Sequence, residues 1–123
     1  MIDHLGIDVS DYKKSKAFYE KALKPLGIKL LHEFGGTWAG FGKGDKAFLW
    51  IIGGRSQTKH CHIAMGADKR AQVDAFYDAA IGAGGKDNGK PGIRKDYHPN
   101  YYGAFVFDPD GNNVEAVCHN PVK

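Results

Sequence analysis

The feature that most constrains this chain of 123 residues is an internal repeat. When the sequence is shifted by 58 residues, His62-Ile63 aligns with His4-Leu5, and the helix-like stretch 75–78 aligns with 17–20. No gap is needed between the two copies. A period of this length is typical of a duplicated supersecondary unit. The repeat therefore predicts two copies of one small fold, with a histidine at the same point of each copy.

Hydrophobic periodicity predicts the elements of the first copy. The alternation of Leu5, Ile7 and Val9 is typical of a strand, and Ser10 or Asp11 is placed to cap the helix that follows. Pro25 and Gly27 end this helix near Leu26. Three short strands separated by glycine turns come next, over about 28–34, 37–42 and 46–52. The first copy is thus β-α-β-β-β, and residues 53–58 form a linker.

The second copy repeats this order. A strand near residues 60–67 precedes a helix whose apolar stripe contains Val73, Phe76 and Ala80. The polar, glycine-rich segment 86–100 shows no strand pattern, and we expect it to form a lid. Two strands over about 101–107 and 113–118 close the chain, joined by a turn at Asp108-Pro109-Asp110-Gly111.

These patterns predict an α+β fold of two tandem β-α-β-β-β modules, at about 1–54 and 59–119, within one domain spanning 1–123. Each sheet has one face covered by a helix, so the two open faces are expected to form a shared cleft. The length and the apolar content of 42% fit one domain with one hydrophobic core.

Charge and composition narrow the classes of function. The net charge of +3 is too small to favour nucleic-acid binding. No apolar run has the length of a membrane span, and the N-terminus is no signal peptide, so we expect a cytoplasmic protein without membrane contact. Cys61 and Cys118 form neither a C-x-x-C motif nor a disulfide framework, and we interpret both as buried apolar residues.

A second alignment, at an offset of 65 residues, places Ala39–Ile52 over Ala104–Val117 and Trp50 over Glu115. If the first and last strands of each module carry one inward residue, then His4, Trp50, His62 and Glu115 face the cleft. A carboxylate in an apolar closing strand is costly unless charged groups or a metal compensate it. Two imidazoles and one carboxylate form the facial triad that suits Fe(II), Mn(II) and similar divalent ions.

Three motifs now carry a resemblance to a known family: His4-Leu5-Gly6-Ile7 before a helix with Phe18-Tyr19, then His62-Ile63-Ala64, then 107–115, which reads Phe-Asp-Pro-Asp-Gly-Asn-Asn-Val-Glu. The chain resembles the vicinal oxygen chelate superfamily, which includes glyoxalase I, bleomycin-resistance proteins, fosfomycin-resistance thiol transferases and extradiol dioxygenases. The resemblance implies paired modules, a divalent metal (Fe, Mn, Ni or Zn) and His4, His62 and Glu115 as its ligands. It also implies a homodimer, sometimes with modules exchanged between the chains.

The chain departs from glyoxalase I at one position. That enzyme carries a fourth ligand, a carboxylate or an amide, where this chain has Trp50, and tryptophan cannot bind a metal. Members with three protein ligands, such as the dioxygenases and the fosfomycin-resistance enzymes, fit the pattern. The resemblance therefore implies a lyase or isomerase related to lactoylglutathione lyase, or a ring-cleaving dioxygenase, acting on a small oxygenated substrate.

Other residues are candidates for substrate contact and proton transfer. Arg94 would receive an anionic group, and Trp38, Trp50 and Tyr102 would wall the pocket. Beside Glu115, we expect Tyr97 or His98 to act as acid or base.

Structural alternatives stay open for these residues. Arg94 and Lys95 also fit a solvated loop, and Trp38 also fits the core. His60 and His119 fit either partners that orient a ligand or solvent-exposed strand ends. A buried His–Glu pair in a metal-free protein, which sequesters an aromatic compound between the tryptophans and the lid tyrosines, is the alternative to an enzyme.

Overall fold

The computed structural model describes residues 1–122. It contains eight strands and two α-helices within these residues, in an order that repeats once. The first module comprises β1 (Leu5–Val9), α1 (Tyr12–Leu23), a short 3₁₀ helix (Lys24–Leu26), β2 (Lys29–Phe34), β3 (Trp38–Lys43) and β4 (Lys46–Gly53). The second comprises β5 (His62–Gly66), α2 (Arg70–Gly82), β6 (Lys86–Ile93), β7 (Tyr102–Phe107) and β8 (Asn113–Cys118).

Each module forms its own four-stranded sheet, in the order β1-β4-β3-β2 for the first and β5-β8-β7-β6 for the second. In both sheets the first strand pairs in parallel with the last, and the remaining pairs are antiparallel. The predicted fold class, two tandem β-α-β-β-β modules, is therefore confirmed. The duplication extends to the pairing of single residues. Gly6 in β1 pairs with Trp50 in β4, and the corresponding residue of the second module, Ala64 in β5, pairs with Glu115 in β8.

Local sequence accounts for the limits of the first helix. The side chain of Asp11 accepts a hydrogen bond from the backbone N–H of Lys14 at 3.1 Å and so caps the N-terminus. Gly27 adopts a left-handed conformation with φ of 77°, which ends the 3₁₀ turn at low steric cost. The turn sends the chain back along α1 into β2.

One core joins the two modules. The helix-side residues of both sheets and the buried stripes of both helices form a continuous cluster, in which α1 also packs against α2. Phe18 and Phe76, one from each helix, are almost completely buried in it. The core therefore covers the helix-side face of each sheet. The opposite face of each sheet stays open and can carry a site.

The segment 86–100 contains a strand that the sequence pattern did not reveal. Residues Lys86–Ile93 form β6, at the edge of the second sheet, and the loop begins only after it. Its pairing with β7 is interrupted by register shifts around Gly89. The glycines and Pro91 remove the alternation by which strands are recognised, and such residues are tolerated at an edge.

The turn between β7 and β8 also fastens the modules together. Asp108 is buried and accepts a hydrogen bond from the hydroxyl of Tyr19, in the first module. Burial, followed by the charge of Asp108, raises the pKa of Tyr19 well above its ordinary value. The side chain of Asn112 donates to the backbone of Thr58 at 3.0 Å and accepts from the N–H of Cys61 at 2.9 Å.

Two further expectations concern the cysteines and membranes. Cys118 is buried as predicted, whereas Cys61 is only partly buried against the core, and the two are free thiols. Neither α-helix within residues 1–122 has the length and apolar character needed to cross a membrane.

Candidate active site

The centre of the candidate site is a His–Glu pair on the open face of the second sheet. His62 begins β5, and Glu115 lies in the neighbouring parallel strand β8. Glu115 pairs with Ala64, which lies two positions after His62. Because side chains alternate along a strand, both point to the same face. Nε2 of His62 donates to Oε1 of Glu115 at 2.7 Å. Glu115 is 1% exposed, whereas the side chain of His62 is 56% exposed.

Tyr101 satisfies the other oxygen of the buried carboxylate. Its hydroxyl donates to Oε2 of Glu115, so each carboxylate oxygen accepts one hydrogen bond. Burial raises the pKa of Tyr101, and the hydrogen bond to Glu115 and its charge raise it further. Tyr101 therefore remains protonated at neutral pH and serves as a donor. These two donors offset the cost of placing a carboxylate in the sheet interior.

Two further histidines support Tyr101. Nδ1 of His98 accepts from the backbone N–H of Asn100 at 3.0 Å, so the proton of a neutral His98 lies on Nε2. That nitrogen donates to Nδ1 of His119 at 2.6 Å. The ring of Tyr101 lies edge-on to both imidazoles, with centroids 5.4 Å from His98 and 5.2 Å from His119. The pair thus holds Tyr101 against Glu115.

The predicted residues of the loop and of β7 lie in different surroundings. Tyr97 is 63% exposed and packs against Tyr101 with centroids 4.8 Å apart. Arg94 lies over the ring of Phe105 at 5.3 Å, on the face that carries Glu115, and donates to the carbonyl of Lys90. Tyr102 packs against the core on the helix side, where its hydroxyl donates to Asp74 at 2.6 Å.

Tyr101 and not Tyr102 therefore reaches the carboxylate. Tyr101 is the site residue that the sequence reasoning did not select. A signal for Tyr101 was present in the sequence. Side chains alternate along a strand, so if Tyr102 faces the core, its neighbour Tyr101 faces the open side of the sheet, where the site lies.

The first module contributes His4 and an aromatic surface. His4 precedes β1, is 59% exposed in its side chain, and lies with Nδ1 2.7 Å from Oδ1 of Asp3. Lys46 donates to the same oxygen at 2.6 Å, and these contacts, that with Lys46 first, lower the pKa of Asp3. Trp50 and Trp38 line a pocket of about 720 Å³ on this sheet, together with His4.

The three predicted metal ligands are only partly brought together. Across residues 1–122, no three His, Cys, Asp or Glu side chains are close enough to share an ion. His62 and Glu115 are in contact, and His4 joins His62 only in lining a gap of about 480 Å³ near β1 and β5.

The pair itself fits a divalent ion. Imidazole nitrogen and carboxylate oxygen suit such metals. The 2.7 Å between Nε2 of His62 and Oε1 of Glu115 is a hydrogen-bond distance, so an ion bound there would take the place of the shared hydrogen. The pair would hold two positions of the ion, and His4 is the predicted source of a third.

Comparison with known proteins agrees with this architecture. A glyoxalase/bleomycin resistance protein from Albidiferax ferrireducens T118 has 27% sequence identity and a TM-score of 0.80, covering 97% of this chain and 98% of that one. The uncharacterized protein YqjT of Bacillus subtilis (strain 168) is 27% identical over 132 residues, covering 94% of this chain and 96% of its own length.

A more distant structure shares the fold alone. The lactoylglutathione lyase from Agrobacterium tumefaciens has 17% identity and a TM-score of 0.68, covering 96% of this chain and 92% of that one. The sequence profile of the Glyoxalase/Bleomycin resistance protein/Dioxygenase superfamily matches residues 1–116. With this match over nearly the whole chain, the protein belongs to the glyoxalase/bleomycin resistance protein/dioxygenase superfamily.

Proposed function

We propose that the protein is a metal-dependent enzyme that acts on a small oxygenated substrate. The observation that carries this proposal is the contact between His62 and the buried Glu115, with Tyr101 on the second carboxylate oxygen. A buried carboxylate that faces an open sheet surface beside an exposed imidazole is characteristic of a functional site rather than of a core. Membership of the glyoxalase/bleomycin resistance protein/dioxygenase superfamily supports a reaction of this type.

The ligands would be His62 and Glu115 from the second sheet and His4 from the segment that precedes β1. A divalent ion held there would polarise the oxygens of the substrate and stabilise developing negative charge. Glu115 would supply the anionic ligand, and the hydrogen bond from Tyr101 would fix its orientation. We infer that His4 comes from a second copy of the chain in a homodimer, because within residues 1–122 of one chain no third such side chain lies close enough to His62 and Glu115 to share an ion.

Proton transfer would fall to the residues around Tyr101. His98 and His119 are joined by one hydrogen bond, and both rings lie against Tyr101. Tyr97 lies at the exposed rim of the same cluster. A substrate that enters over Glu115 would meet these groups on the loop that follows β6. Arg94, on the same face, would contact an anionic group of the substrate.

The decisive experiment measures metal content in untagged protein purified without added metal. We expect about one divalent transition metal per chain, and loss of that metal in His62→Ala. The matched control is His60→Ala, which removes an exposed imidazole two residues away. Absence of metal, with no uptake of Fe(II), Mn(II), Ni(II) or Zn(II) on reconstitution, would contradict the proposal and favour a metal-free binding protein.

A further inference from the structure

Three aromatic rings cluster on the open face of the first sheet. His32 and Phe34 lie on β2, and Trp50 lies on β4. The three centroids are 6.0–6.1 Å from one another, and the ring planes differ by 7–15°. These three nearly parallel rings make up one aromatic cluster, which we call the aromatic floor.

The backbone beneath Trp50 shows how the floor is oriented. A Cβ atom added to Gly40, which pairs with Trp50 across β3 and β4, would lie 2.8 Å from Cζ3 and Cη2 of the indole and 3.0 Å from Cε3. Three consecutive ring atoms are equally near such a point only when the ring presents its face to the strand. The indole therefore lies flat on Gly40, with its other face turned towards the pocket.

Trp38 does not share this role. It is 40% exposed at the start of β3, and the guanidinium of Arg55 covers its ring at 5.5 Å from the centroid. One face of Trp38 is thus occupied by a cation. Phe34, 57% exposed, remains open beside Trp50. The fluorescence of the two tryptophans therefore reports on different surroundings: Trp38 lies beside Arg55, and Trp50 lies in the aromatic floor.

We propose that the aromatic floor binds a planar aromatic ring of the substrate. A stacked ring would gain contact with three parallel rings at once, and aromatic stacking favours such offset, face-on arrangements. The pocket of about 720 Å³ above the floor has room for a ring with substituents, and His4 lines the same pocket. The inference depends on the proposed function in one respect: oxygens carried by the bound ring would point towards His4, a proposed metal ligand.

The test compares two small diols in the Trp38→Phe protein, where Trp50 is the only tryptophan. Catechol and cis-1,2-cyclohexanediol both carry vicinal oxygens, but only catechol is planar. We expect catechol to quench the emission of Trp50 saturably and to bind roughly tenfold more tightly than the saturated diol, measured by competition. The titration is repeated in EDTA, where stacking on the floor should persist.

Two variants make the result specific to the floor. Trp50→Leu, followed by nuclear magnetic resonance of the bound diols, should abolish the preference for catechol. Gly40→Ala should reduce it, because the new Cβ displaces the indole from the strand while every ring remains. Circular dichroism and the thermal midpoint show whether each variant is folded. Equal binding of the two diols, a preference that survives Trp50→Leu, or a Trp50 that a second copy shields from catechol would overturn the inference.

The outcomes separate the floor from the metal site. A planar preference that persists in EDTA, in protein without metal, supports the floor even if the metal-dependent function fails. Metal-dependent binding of both diols with equal affinity would support the metal site and refute the floor.

Discussion

Trp50 occupies in the first sheet the register position that Glu115 occupies in the second. Trp50 pairs with Gly6, and Glu115 pairs with Ala64, the residue that corresponds to Gly6 in the repeat. The two modules share one backbone plan but differ in chemistry at this point. The first contributes an aromatic surface and the second a buried carboxylate, so the site is asymmetric although the fold is nearly symmetric.

Introducing a carboxylate at this position should strengthen metal binding. Trp50→Glu would add a fourth ligand, itself anionic, to the set formed by His4, His62 and Glu115. We expect metal affinity to increase about tenfold, on the scale by which residues around a metal change its affinity, measured by competition with a chromophoric chelator. Trp50→Gln is the control that separates charge from loss of the indole. Unchanged affinity in Trp50→Glu would show that this position lies outside the metal site.

The hydroxyl of Tyr101 should matter more than that of its neighbour Tyr97. Tyr101→Phe removes the hydroxyl that donates a hydrogen bond to Oε2 of Glu115, so this buried carboxylate oxygen loses the hydrogen bond. We expect metal affinity to fall about tenfold, with the fold retained in circular dichroism. Tyr97→Phe, which keeps the ring contact with Tyr101 and changes an exposed hydroxyl, should leave the affinity nearly unchanged. Equal effects of the two substitutions would remove Tyr101 from the site.

Mixing two variants that each lack one ligand should restore metal sites if the ligands come from different chains. His4→Ala and His62→Ala each lose one ligand from every site. A heterodimer of the two would combine the intact His4 of one chain with the intact His62 of the other in one of its sites. We expect bound metal to reappear after the two variants are mixed and exchange subunits. Each heterodimer should hold at most half the metal of an unmodified homodimer, because only one of its two sites is intact. No recovery in confirmed heterodimers would place all ligands within one chain.

The hydrogen bond between Tyr19 and Asp108 should stabilise the contact between the modules. Tyr19→Phe leaves the buried Asp108 without one of its donors, and we expect the free energy of unfolding to fall by about 2 kcal/mol. The matched control is Tyr12→Phe, whose hydroxyl bonds an exposed Glu33 and whose loss should cost about 0.5 kcal/mol or less. Urea unfolding measures both values. Similar costs for the two variants would show that the buried bond adds little.

Local patterns explain why much of the architecture was predictable. Strand and helix periods are local properties, and the repeat carried each of them from one module to the other. The shared face of His62 and Glu115 followed from alternation once β5 and β8 were placed side by side. The strand Lys86–Ile93 was missed because its pattern is broken by glycines and a proline, while its pairing with β7 is a tertiary contact.

The sequence by itself determined the two modules and the alternation that places His62 and Glu115 on the open side of the second sheet. Only the tertiary structure decided which of these residues touch. It placed Tyr101 rather than Tyr102 on Glu115, joined His98 to His119, and laid the indole of Trp50 on Gly40. The physical reason is range: alternation along a strand is set by neighbouring residues, whereas contacts between loops and sheets depend on packing between segments distant in the chain.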